Sequence, residues 1–225
     1  PMNRTRFIDT TSRVMRFAAG LNGVFGDAWN YNVSYTFSEV SLERTQTGGM
    51  IPQKIADVLA QGTFNLFEPE DTPQQVWDYI MPENVVTSPS RLWMIDGNIG
   101  REFMELGGGP LQAAIGVAHR RESINAPSAN PANDSAPYER FTGYNAVGTA
   151  GSRNVDSAYF EIAAPLTEWM EVNASGRYDD YSTGQDNFSP KLSVMFMPTD
   201  TVSLRASSSE GFRIPSFNEA FGLPT

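Results

Sequence analysis

The sequence predicts an all-β fold built from antiparallel hairpins, and three observations carry that prediction. Apolar and polar residues alternate with a period of two through paired runs, which is the signature of strands. Short turns and long loops follow one another along the chain, as they do where strands cross a layer up and down. No run approaches the roughly 18 consecutive apolar residues that a spanning helix needs, while a mean hydropathy of -0.34 suits strands with a single apolar face. The alternation alone fits a soluble sandwich as well as a membrane barrel. Aromatic residues gathered at strand ends favour an antiparallel transmembrane β-barrel.

The first run covers residues 13–25, with Phe17, Ala19, Leu21, Gly23 and Phe25 on one face and Arg16, Ala18, Gly20, Asn22 and Val24 on the other. Gly26-Asp27 turns the chain. Trp29, Tyr31, Val33, Tyr35 and Phe37 then alternate unbroken with Asn30, Asn32, Ser34, Thr36 and Ser38. One face is aromatic or branched and the other small and polar, matching lipid outside and a wet lumen inside. From 43 to 90 the periodicity disappears, and about fifty residues without a strand read as a long loop, functional or disordered or simply packed on itself. Two short helices are predicted inside it. Residues 52–61 place Ile55, Val58 and Leu59 on one side, and Thr72 as N-cap with Pro73 at the first helical position opens a helix carrying Val76, Trp77, Tyr79 and Ile80.

A second hairpin follows. Trp93, Ile95, Gly97, Ile99 and Phe103 share a face that Arg101 interrupts, the stretch from Leu106 through Gly107, Gly108, Gly109 and Pro110 turns, and Leu111, Ala113, Ile115 and Val117 return. His119 ends the return beside Arg120 and Arg121; with no second histidine and no cysteine it has no metal-ligand spacing and reads as a rim residue. Residues 125–152 form a second long loop rich in Asn, Ala, Ser, Pro and Gly. Its glycines, around Gly143-Tyr144-Asn145 and on to Gly151, lack the Lys-Ser/Thr of a phosphate loop, so no nucleotide site is expected.

In the third hairpin Ala158, Phe160, Ile162, Ala164 and Leu166 face one way, Thr167-Glu168 turns, and Met170, Val172, Ala174, Gly176 and Tyr178 return. The opposite face carries Tyr159, Glu161, Glu171, Asn173, Ser175, Arg177 and Asp179. In a barrel these line the lumen, where Glu171, Arg177 and Asp179 are placed to pair across strands. Glu161, Glu171, Asn173, Arg177 and Asp179 are therefore the lumen candidates for contact with a ligand or a plug. Trp77 and Tyr79 are the loop candidates. A short loop at 182–186 leads to the fourth hairpin, in which Pro190, Leu192, Val194 and Phe196 alternate with Lys191, Ser193 and Met195, Pro198-Thr199-Asp200 turns, and Val202, Leu204 and Ala206 alternate with Ser203, Arg205 and Ser207.

Composition narrows the function classes. A chain of 225 residues that is 40% hydrophobic and 12% aromatic is too apolar for disorder. Its formal charge of -10 and pI near 4.6 leave no basic face for phosphates, which excludes nucleic acid as a partner. Zero cysteines fits an envelope protein and many others. The chain opens Pro1-Met2-Asn3-Arg4, without the regions of a secretory signal. Asp179-Asp180 fails as an acid and base pair, because adjacent strand residues point to opposite faces, and one histidine on a predicted rim makes no Ser-His-Asp set. No enzyme and no cofactor are expected.

The segment closing the last hairpin is the most distinctive. Ser209-Glu210-Gly211-Phe212-Arg213-Ile214-Pro215-Ser216-Phe217-Asn218-Glu219 resembles the SEGFRAPS(F/L)NE signature in the barrel of TonB-dependent outer-membrane receptors. ASGRYDDY at 174–181 and Ser189-Pro190-Lys191-Leu192 resemble the GRYD and SPK(L/I) strands of the same family. The likeness is strong over 157–221 and a matter of pattern before that. It implies that the chain is about eight strands of a barrel of about 22, with short periplasmic turns and long extracellular loops near 43–90 and 125–152. It further implies TonB-energised uptake of a siderophore, cobalamin, haem or saccharide across the outer membrane of a Gram-negative bacterium, with lipid, the receptor's own plug domain, TonB and a small ligand as partners. The plug, the TonB box and the terminal aromatic of that family are not seen in the sequence, which ends Gly222-Leu223-Pro224-Thr225, so an internal barrel fragment is expected. Glu210, Gly211, Phe212, Arg213, Pro215, Asn218 and Glu219 are the family motif and are assigned to barrel folding: Gly211 for a bend, Phe212 and Phe217 as interface anchors, Pro215 to stop the ladder. The alternatives are a self-contained eight-stranded barrel acting as an adhesin or anchor, and a soluble all-β carbohydrate-binding domain.

Overall fold

The computed structural model describes residues 6–26, 28–130, 137–144, 147–199 and 201–221. Asp27, Asn145, Asp200, the opening residues 1–5 and the closing residues 222–225, all considered above, lie outside the described residues. Eight strands form one antiparallel sheet: β1 (Ile8–Phe25), β2 (Trp29–Gln46), β3 (Asn84–Leu106), β4 (Gly109–Ala126), β5 (Thr149–Thr167), β6 (Met170–Tyr181), β7 (Asp186–Thr199) and β8 (Val202–Ser209). Spatial order follows chain order, β1 through β8. Each strand therefore pairs with its neighbours in sequence, and the four hairpins and the all-β class are as the alternation predicts.

The register keeps each alternating face in line across the sheet. Leu21, Val33, Gly97, Val117, Ala158, Tyr178 and Phe188 are successive partners on the apolar face. One residue along, Asn22, Asn32, Asn98, Gly116, Tyr159, Arg177 and Ser189 do the same on the polar face. At the short-turn end the apolar face is edged by rings: Phe25 stacks on Trp29, Trp29 meets Phe103 edge-on, and Trp169 meets Phe196 edge-on. Towards the loop end stand Phe17, Tyr35 and Trp93, and beyond them the pair Arg91–Glu39 at 2.5 Å. The nine residues from Trp29 to Phe37, at about 3.3 Å each and tilted roughly 40°, give a belt about 20–25 Å tall, the height of a bilayer's apolar layer.

Element boundaries differ from the sequence reading in one direction. β2 runs on to Gln46 and β3 starts at Asn84, so strand occupies both margins of the loop placed at 43–90; β4 and β5 likewise reach into 125–152; and β1 begins at Ile8. A strand crosses a bilayer with about 9–11 residues, whereas β2 has 18 and β3 has 23. The surplus extends past the apolar belt towards the loops. Hydrogen bonding continues there, but the contrast between faces that makes alternation visible does not. Gly107 and Gly108 join β3 to β4 within the predicted stretch 106–110, but two other turns come later than predicted: Glu168 and Trp169 join β5 to β6 behind an irregularity at Leu166, and Pro198 and Thr199 still belong to β7.

The sheet stays open. Among the described residues β1 pairs only with β2 and β8 only with β7, so the eight strands do not close on themselves as the self-contained barrel requires. A sandwich fares no better. Among the described residues no second sheet covers the apolar face, where Phe17 is 58% and Leu21 73% exposed.

The two long loops fold together at one end of the sheet. α1 (Pro52–Ala60) and α2 (Gln74–Ile80) pack Val58, Trp77, Ile80 and Met81 into a small core. As predicted, Val58 faces inward, but α2 starts one residue later than expected, with Pro73 as its N-cap. Thr72 is not the cap because its hydroxyl accepts the Asn65 backbone N–H at 3.1 Å. A second cluster, Val86, Ala129, Tyr144 and Phe141, ties the later loop to the polar side of β3. Thr142 N–H donates to Met50 carbonyl at 2.8 Å and the Tyr144 hydroxyl to Thr47 carbonyl at 3.2 Å, joining one loop to the other.

Candidate functional site

The polar face of the sheet brings the lumen candidates together. A recess of about 620 Å³ on this face is lined from strands β2 through β8 by Asn32, Glu102, Glu161, Asn173, Lys191 and Arg205 among others. Amides and charges of both signs suit contact with polypeptide or water. Arg177 donates through Nε to Asp179 at 2.8 Å and through its terminal nitrogen to the Ser157 hydroxyl at 2.8 Å, while that hydroxyl donates to Asp179 at 2.5 Å. Glu171 stands apart from this triad and accepts Asn173 Nδ2 at 2.7 Å. The expected pairing of Glu171, Arg177 and Asp179 across strands is thus corrected: the ion pair runs along β6, because residues two apart on one strand share a face and Ser157, uncharged, is the cross-strand partner.

Tyr159 extends the network over two strands. Its hydroxyl donates to Asp96 at 3.0 Å, and Asn98 donates to it at 3.4 Å, although β4 lies between. Gly116 makes the crossing possible. A Cβ there would lie 2.2 Å from the tyrosine ring, so only glycine leaves room for the ring to lie across β4. The guanidinium of Arg177 sits 5.7 Å from the same ring, and polar contacts therefore run from β3 to β6 without a break in side chains.

The loop candidates separate. Trp77 is buried and meets Phe64 edge-on at 5.3 Å, so its ring serves the cap's core and is not offered to solvent. Tyr79 is 44% exposed. Its hydroxyl donates to Asp57 at 3.1 Å, which holds its phenol above the usual tyrosine range, and Lys54 lies 4.9 Å over the ring. His119 lies on the apolar side near the loop end, bonded to Asp156 at 2.6 Å and 5.1 Å from the Trp93 ring.

The motif segment folds back over the polar face. Glu210 N–H extends the ladder with one bond to Pro190 carbonyl at 3.0 Å, and the chain then leaves the sheet. α3 (Phe217–Phe221) is opened by a reciprocal cap: Ser216 N–H donates to Glu219 at 2.7 Å and Glu219 N–H to the Ser216 hydroxyl at 3.4 Å. Arg213 donates to both oxygens of the Glu219 carboxylate at 2.6 Å. Arg213 and Ser216 together hold the Glu219 pKa down at about 2. Arg153 of β5 is the anchor beneath. It pairs with Glu122 at 2.7 Å, donates to Pro215 carbonyl at 3.1 Å and lies 4.6 Å over the Phe217 ring. Thr149 donates to Asn218 at 2.6 Å, and Phe212 meets Tyr181 edge-on at 5.8 Å.

This geometry corrects two motif roles. Phe212 and Phe217 do not anchor at a membrane interface; they pack on Tyr181 and Arg153, which project from the polar face. Gly211 is not held at positive φ and a Cβ on it would meet nothing within 4 Å, so the bend does not require glycine. Arg153, Glu122 and Asp96 escaped the sequence reading, since their partners lie tens of residues away. The Ser216–Glu219 cap was there to be read, as Ser-x-x-Glu ahead of apolar residues.

A family model described as TonB dependent receptor-like, beta-barrel matches residues 2–224. The chain belongs to that family. A search of curated proteins gives no match. The match extends the kinship from the motif-bearing strands β5 to β8 over β1 to β4, where the sequence offered only alternation. TonB-dependent receptor barrels are outer-membrane proteins of receptor and transporter type. For a member of this family the two faces of the sheet have a plain meaning, and the rings along the apolar face mark the two water interfaces.

Proposed function

We propose that this sheet is a section of the wall of an outer-membrane receptor that captures a scarce nutrient outside the cell and passes it inward when TonB acts on a plug within the barrel. A siderophore, cobalamin, haem or a saccharide is the class of cargo. The observation that carries the reading is a two-faced sheet with a bilayer-high, ring-edged apolar belt, in a chain of the TonB-dependent receptor family. Unpaired strand edges are not tolerated in lipid, so β1 and β8 take further strands of the same barrel as partners. Glu161, Glu171, Asn173, Arg177 and Asp179 then serve as lumen wall and plug contacts. The joined loops cap the mouth, with Tyr79 rather than Trp77 open to a ligand. Nothing in this role requires bond-making chemistry.

The test uses the full-length protein in its own bacterium. Deleting its gene is expected to abolish growth on one limiting nutrient, and inactivating TonB to abolish it equally. Normal growth of the deletion strain on every such nutrient overturns the receptor reading; growth that survives loss of TonB overturns the energisation.

A further inference from the structure

Arg101 and a trough beside it have no part in the uptake reading. The apolar face carries a recess of about 700 Å³ whose lining is almost wholly carbon. Gly97 and Ala158 form its floor, with Val117 beside them, and the rings of Tyr31, Phe160 and Phe188 rise around it. Its volume is that of roughly twenty water-sized groups. The trough lies midway between the two rows of rings and is continuous with the belt that faces lipid. Arg101 lies on the same face of β3, two residues beyond Ile99 at the trough's short-turn margin. Its guanidinium rests 5.3 Å from the Trp29 ring and 5.2 Å from the Phe103 ring, with Nε bonded to Glu102 carbonyl at 3.0 Å. A guanidinium placed over two rings, with only Nε engaged by a carbonyl, has its terminal N–H groups available to a phosphate.

We propose that this face holds one phospholipid at a fixed position, with an acyl chain laid in the trough and its phosphate on Arg101. The inference rests on the membrane reading above. Continuity with the belt makes the occupant a membrane lipid, and a cation at the interface row selects a phosphate-bearing head. The ridge of rings around a low floor suits a flexible hydrocarbon rod, and leaving the floor empty would forfeit dispersion contacts along its length.

Gly97 supplies the test. A Cβ on it would meet only Val33 at 3.8 Å and Asn32 carbonyl at 4.0 Å, so Gly97→Leu fills the trough with little strain on the sheet. Full-length protein is extracted in mild detergent from vesicles of phosphatidylethanolamine and phosphatidylglycerol and weighed by native mass spectrometry. One retained phospholipid per chain is expected, with retention falling about tenfold in Gly97→Leu and in Arg101→Gln. Undiminished retention in either variant overturns the proposal, as does a second protein chain in place of the lipid. Heat-dependent gel mobility checks assembly, and Ala158→Leu replaces Gly97→Leu should the latter not assemble. A protein that needs no detergent defeats the membrane reading itself, whereas a heat-modifiable barrel without lipid defeats only this inference.

Discussion

Arg153 and Gly116 show how much of this wall depends on single side chains. Arg153 holds the motif segment to the sheet through the Pro215 carbonyl and the Phe217 ring, while its ion pair with Glu122 fixes it to β4. Arg153→Ala is expected to free the segment at 210–221 and leave Glu122 without this partner, raising its cleavage by added protease several-fold in intact cells. Protection equal to wild type would refute that role. Arg213→Ala removes only the clamp within the segment, so it is expected to lower the amount of assembled receptor more than ligand affinity per molecule; normal assembly with lost binding would reverse the assignment. Gly116→Val pushes a branched side chain into the Tyr159 ring, breaks its bond to Asp96 and is expected to cost about 1–3 kcal/mol, measured as a lower melting midpoint of the folded gel band. The Arg213 guanidinium and the Ser216 N–H hold the Glu219 carboxyl at a folded pKa of about 2, below its ordinary value of 4.5. A depressed acid contributes its stabilisation fully above the unfolded value and loses it as pH falls through the folded one. Protection of the segment is therefore expected to be the same at neutral pH and near pH 5, and to fade only between about 4.5 and 2. A carboxyl-carbon NMR titration of Glu219 with its midpoint at 4 or above would contradict the clamp.

At the level of elements, the cap and the strands are held by different forces. The cap has its own apolar core around Trp77 and Ile80, so Trp77→Ala, at about 3–5 kcal/mol, is expected to exceed what so small a core supplies. Amide exchange should then rise throughout 47–83 while strands β2 and β3 stay protected, and loss of protection in the strands as well would show that cap and wall fold as one. Strand alternation was legible where lipid demands it, from Trp29 to Phe37 and from Ala158 to Tyr178. It was illegible in 43–46 and 84–90, because beyond the membrane both faces of a strand meet similar surroundings. The helix start at Thr72 was misread for a local reason. A threonine ahead of proline is an N-cap by pattern, yet the same hydroxyl serves Asn65 when the loop doubles back.

For the molecule as a whole, an apolar face and two open edges govern behaviour. Transferred to water without detergent, the 225-residue chain is expected to aggregate through β1, β8 and the exposed belt, seen as loss of monomer in sedimentation. A stable water-soluble monomer would contradict the membrane assignment of the face. The residue pattern by itself determined the strand class, the two faces, the alternation of turns and loops, and through the motif the family, because each is written in residues near one another in sequence. Tertiary structure alone decided that the sheet is open, that the motif folds inward on Arg153 and not outward to lipid, that Trp77 is core, and that Gly97 leaves a trough beside Arg101. Those depend on register across strands and on contacts between residues tens of positions apart, and a period of two carries no information about which strand comes next or how far a side chain reaches across it.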